Sequence, residues 1–113
     1  MTDDPPPQRV SVCVPKPHVV AQRVRQLAAN SENVRWSQHA LDRMAERDIT
    51  IRQALYVLRE GDVVGPIELG KYPGELKAKF IRNMRGRRDV GVVVLLVKNG
   101  RLNVKTVEWE DIR

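Results

Sequence analysis

Apolar residues in this chain follow two periods, one after the other. From Pro17 to about Ala29 they recur at helical spacing, with Val19, Val20, Val24, Leu27 and Ala28 on one stripe. Pro17 suits a first helical turn, where its missing N–H would find no partner anyway. Asn30-Ser31 ends this helix, and Val34-Arg35-Trp36 reads as a short extended stretch. Ser37 is placed to cap a second helix that Leu41, Met44 and Ala45 seat on the core and that Asp48 closes. Thr50-Ile51-Arg52-Gln53 has the form of a capping box, in which hydroxyl and amide satisfy two orphan backbone donors. A third helix then runs to about Glu60, with Ile51, Ala54, Leu55 and Leu58 inward and Gly61 as its C-terminal stop.

Beyond Gly61 the period becomes two. Asp62 to Leu69 reads as a strand interrupted by Pro66, and Leu76, Ala78 and Phe80 alternate with Lys77 and Lys79. Val90 to Val97 is nearly continuous apolar sequence, which predicts a central strand covered on both faces. Asn99-Gly100 is a strong hairpin signal, after which Leu102, Val104 and Thr106 alternate with Asn103 and Lys105. The expected fold class is α+β, with the helices packed on one face of a three- to four-stranded antiparallel sheet. Residues 1–15, with three consecutive prolines and little periodic pattern, read as a disordered tail, and 16–113 as a single domain.

Composition agrees with a globular chain: 42% of the residues are hydrophobic and 30% charged. The one cysteine, Cys13, permits neither an internal disulfide nor a thiolate zinc site, which suits a reducing compartment. The acidic, proline-rich start lacks the order of a signal peptide, and the run Val92 to Val97 is too short to span a bilayer. A cytoplasmic protein with no membrane partner is expected. No phosphate-binding loop, dinucleotide fingerprint, H-E-x-x-H motif or serine or cysteine nucleophile setting is present, so no cofactor and no metal is expected.

Charge changes the picture more. The net charge is +6, while Glu108, Glu110 and Asp111 gather acid at the C-terminal end. Between Lys79 and Arg88, the residues Lys79, Arg82, Arg85, Arg87 and Arg88 contribute five positive charges without an acid among them. Together with Lys77, this block suits a nucleic acid or an acidic protein partner; a solubilising loop would look the same.

The second helix carries the sharpest chemical pattern. His39, Arg43 and Arg47 stand at steps of four, so successive side chains drift only ~40° around the axis and share a stripe. A proton-transfer group beside two permanent cations is what cleavage of a phosphodiester needs.

The string His39-Ala40-x-x-Arg43-Met44-x-x-Arg47-x-Ile49-Thr50, followed by a helix, Gly61 and strands, resembles the domain-of-unknown-function family 4258 over roughly residues 33–108. That resemblance implies a RelE-like fold within a broad class of metal-independent, barnase-like ribonucleases, whose members include toxins encoded beside MqsA-type antitoxins. It implicates His39, Arg43 and Arg47, with Thr106 as a polar position on the final strand. Asp48 stands where the family usually has glycine, so an aspartate must supply any positive φ after the helix.

Metal-independent RNA cleavage uses the 2′-hydroxyl as nucleophile and needs a base, an acid for the leaving 5′-oxygen and cations for the growing charge. Imidazole is the side chain that ordinarily titrates near neutrality, and His39 is the histidine of the folded core, His18 lying at the start of the first helix. Arg43 and Arg47 would bind and stabilise charge, since guanidinium does not give up its proton. Glu46 lies on a neighbouring stripe, and no second acid–base group stands out. The expectation is an endoribonuclease toxin acting on RNA, in one version on the ribosome, and restrained by a cognate antitoxin. The alternative is a non-catalytic module that grips nucleic acid or antitoxin, with His39 capping or packing, Arg43 paired to Glu46 and Arg47 at the negative end of the helix dipole. A toxin relative that keeps the fold and has lost catalysis is a third option.

Overall fold

The computed structural model of the protein describes residues 14–84 and 88–110. Most of the expected tail, Arg85, Arg87 and Asp111 lie outside the described residues. Three helices come first: α1 (Pro17–Ala28), α2 (Gln38–Arg47) and α3 (Ile51–Glu60). A 3₁₀ turn (Ser31–Asn33) and β1 (Val34–Trp36) separate the first two, and β2 (Asp62–Leu69), β3 (Leu76–Asn83), β4 (Asp89–Leu96) and β5 (Leu102–Glu110) follow.

The local signals act as read. Pro17 opens α1, the Ser37 hydroxyl accepts from the Ala40 N–H, and Thr50 and Gln53 complete a reciprocal capping box. Asp48 takes φ 58° and ψ 44°, so the aspartate supplies the left-handed position after the helix. Some inward positions differ from the reading. Val19 and Ile51 are exposed, and Ala45 faces solvent. Ala21, Ala40 and Val57 are buried instead, so each stripe is rotated slightly about its helix. Gly61 ends α3 in extended backbone, not in the left-handed region. Its lack of a Cβ matters for another reason: that atom would sit 2.5 Å from the Val57 carbonyl oxygen and 2.8 Å from that of Ile81.

The expected sheet of three to four antiparallel strands is corrected to five strands of mixed direction, in the order β1-β5-β4-β3-β2. The extra strand is β1, which runs parallel to β5 with Val34 opposite Leu102. Three residues are too few to display a period, and the partner strand begins 66 residues after β1 ends, so no local pattern announces the pairing.

All three helices cover the face of the sheet that bears Ala78, Phe80, Val90, Val92, Val94, Leu102 and Val104. Within that layer α1 packs on α3, α3 on β3 and β4, and α2 on β5. Arg59 Nε donates to the Ala28 carbonyl at 2.7 Å, satisfying an orphan acceptor at the end of α1. The other face is open. Val93 and Leu95 are only half-buried there, so β4 is central but has a helix layer on one side only.

A bulge in β5 decides where the candidate strand residue points. Val94 pairs with Val104 but Val93 pairs with Thr106, leaving Lys105 as the extra residue. Simple alternation would put Thr106 beside Val104 in the core. The bulge turns it to the open face with Val93 and sends Val107 inward, where it is fully buried.

Candidate functional site

Helix α2 is tied to β5 at both ends. At its start the Ser37 N–H donates to the Val104 carbonyl at 3.2 Å, and the Ser37 hydroxyl donates to the Lys105 carbonyl at 3.3 Å. At its end Trp109 Nε1 donates to the Arg47 carbonyl at 2.8 Å. Ala40 and Met44 are buried between these anchors. The helix is therefore held in place, with the stripe of interest partly open to solvent.

Along that stripe Arg43 Nε lies 3.5 Å from His39 Nε2, at the outer limit of hydrogen bonding. Because guanidinium can only donate, this contact uses the Nε2 lone pair as acceptor and leaves the imidazole proton on Nδ1. Arg43 Nη1 also donates to Glu46 Oε1 at 3.1 Å. Arg47 Nη1 is 3.7 Å from the same carboxylate oxygen, near enough for charge attraction and too far for a hydrogen bond. That nitrogen is buried and has no hydrogen-bond partner. One carboxylate thus sits between two guanidiniums, and one guanidinium nitrogen stays short of an acceptor.

The structure brings His39, Arg43 and Arg47 together, joined through Glu46. Thr106 lies on β5 just beyond the Ser37 anchor, and among the described residues no hydrogen bond joins it to the three. The described members of the basic block, Lys77, Lys79, Arg82 and Arg88, do not form one patch. Lys77 and Lys79 project to the open face, each paired with acid: Lys77 with Glu68 at 3.4 Å, and Lys79 with Glu110 at 2.8 Å and Glu108 at 3.9 Å. The Glu110 carboxylate lies over Gly91, where a Cβ would come within 2.7 Å of it. Arg82 and Arg88 belong to the helix-covered side. Strand alternation, which sends neighbours to opposite faces, is what divides the block.

Those two arginines meet aromatic rings that the sequence reading did not connect with them. Arg82 Nη2 donates to the Tyr56 hydroxyl at 3.3 Å, and its guanidinium lies 5.5 Å from the Tyr56 ring centroid. The hydrogen bond to Tyr56 raises the Arg82 pKa above its ordinary value, with smaller help from Glu60 and Asp62. The Arg88 guanidinium lies 4.4 Å from the Trp109 ring centroid. Tyr56 and Arg82 are 26 positions apart on different elements, so only the folded chain shows the pairing.

Among the described residues no three of His, Cys, Asp and Glu cluster as metal ligands, and no helix is long and apolar enough to cross a membrane. Residues 36–109 match the family described as "Domain of unknown function (DUF4258)". The match spans well over half of the chain, which therefore belongs to that family. Comparison with curated proteins and with solved structures returns no match.

Proposed function

We propose that this protein is a metal-independent endoribonuclease of RelE-like fold, a toxin that acts on RNA in the bacterial cytoplasm and is restrained by a cognate antitoxin protein. The observation that carries the reading is the exposed His39–Arg43 pair, with the partly unsatisfied Arg47 one turn further on. A phosphate entering here draws Arg43 away from His39 and Glu46 and supplies the acceptor that Arg47 Nη1 lacks. His39 Nε2, released, takes the proton from a 2′-hydroxyl as that oxygen attacks the adjacent phosphorus. The guanidiniums hold the non-bridging oxygens as charge grows on them. The bond to the 5′-oxygen breaks, that oxygen takes a proton from water, and a 2′,3′-cyclic phosphate remains.

The decisive experiment is cleavage of total RNA in EDTA by wild type and His39→Ala, with end-group analysis. The expected result is cyclic-phosphate ends from wild type and a loss of at least ~100-fold in rate for the variant. Equal cleavage by both, or none by either, would overturn the reading.

One observation favours a second reading, a non-catalytic module that binds RNA or antitoxin. Glu46 already engages Arg43 and lies within charge range of Arg47. On that reading His39→Ala and Arg43→Ala leave RNA binding and growth unaffected, and neutralising Arg85, Arg87 and Arg88 flattens the salt dependence of affinity.

A further inference from the structure

We propose that the cleft between α3 and the adjoining ends of β3, β4 and β5 is a subsite for one unstacked nucleobase of single-stranded RNA. Gln53, Tyr56, Met84, Arg88 and Trp109 line it around a volume of about 500 Å³. The inference rests on RNA being the ligand of this protein, but not on His39 being its catalyst.

Two rings in one cleft supply the stacking surface that every base accepts regardless of sequence. Each ring also carries a guanidinium, Arg82 on Tyr56 and Arg88 on Trp109. A planar guanidinium adds a second stacking plane and a positive charge for the phosphate attached to the base. Among the described residues no carboxylate lines the cleft, and the resident cations disfavour a cationic ligand that aromatic walls would otherwise attract. What fits is a flat ring that brings an anion with it.

The cleft is also held in place before any ligand arrives. The Trp109 indole is fixed by its hydrogen bond to the Arg47 carbonyl, and Tyr56 by the guanidinium of Arg82. Gln53 Oε1 accepts from the Thr50 N–H, which orients the amide and leaves its NH₂ group for acceptors on a base edge. The Trp109–Arg47 bond puts the cleft next to the C-terminal end of α2, so an RNA strand crossing His39, Arg43 and Arg47 continues towards it.

The test is titration of a 2′-O-methyl single-stranded oligonucleotide, which binds and cannot be cleaved. The proteins are wild type, Tyr56→Ala and Arg88→Gln, each in a Trp36→Phe background that leaves Trp109 as the fluorescent reporter. Tyr56 is 41% exposed, so its truncation leaves the fold intact. The expected results are quenching of Trp109 on binding and about ten-fold weaker affinity for each variant. Unchanged affinity in both variants, or emission that does not respond to RNA, would overturn the proposal. So would equal quenching by a polyglutamate peptide, which has charge and no base. Because nothing is cleaved, failure here leaves the His39 assay standing, and a silent His39 assay leaves this one standing.

Discussion

Trp109 joins two parts of the molecule at a single side chain. Its indole N–H satisfies the carbonyl that ends α2, and its ring lies under Arg88. Trp109→Phe keeps an aromatic ring but removes the donor together with part of the ring's packing on the core. The Arg47 carbonyl then loses its partner in a half-buried setting, which should lower stability by about 1–2 kcal/mol, read as a shift in the urea midpoint at constant m-value. At this scale the sequence was legible wherever the interaction was local. As helix caps, Ser37, Thr50 with Gln53, and Asp48 act within three or four residues of themselves, and those roles could be read directly, whereas the bonds of Ser37 to β5 could not. The Trp109–Arg47 bond spans 62 positions and has no sequence signature. Helical spacing alone places His39, Arg43 and Arg47 on one stripe and Glu46 within reach of Arg43; the folded helix sets that carboxylate between both guanidiniums.

Elements show where periodicity suffices and where it misleads. Helix and strand order could be read because apolar spacing switches cleanly after Gly61. The face of Thr106 could not, because one extra residue in β5 reverses everything that follows. Deleting Lys105 should remove the bulge and leave Thr106 on the open face with Val107 and Trp109 still inward, because the pairs on either side of the bulge already keep those faces. The expected loss is about 1 kcal/mol, from the Ser37 hydroxyl's acceptor, with cooperative melting kept; a collapsed midpoint would show that the bulge itself sets the inward face. Gly61 makes a second test between elements. Gly61→Ala places a methyl against backbone oxygens of both α3 and β3, neither of which can rotate away. It should destabilise by about 2 kcal/mol or more, whereas a mere helix stop would tolerate alanine with a change of a few tenths.

Over the whole molecule, the positive charge is distributed differently from its sequence order. Lys77 and Lys79 meet carboxylates across the open face, while Arg82 and Arg88 lie on aromatic rings at the edge of a cleft. If RNA follows the helix side, the two kinds of cation contribute unequally to its binding. Arg82→Gln with Arg88→Gln should reduce the slope of log affinity against log salt by nearly two, and Lys77→Gln with Lys79→Gln by much less. Equal reductions would place the RNA across the open face instead. Composition could report the charge total; the division between faces follows from strand register, which the sequence expresses only through the completed sheet.

The dependence of α2 on β5 carries a consequence for synthesis. Codons for His39, Arg43 and Arg47 are translated early, yet their helix is fastened by Val104, Lys105 and Trp109, among the last residues described. A ribosome making this chain emits the chemical groups long before it emits their scaffold. The anchors of α2 can form only after β5 has left the exit tunnel. A product stalled before β5 would carry His39, Arg43 and Arg47 without the strand that fastens their helix.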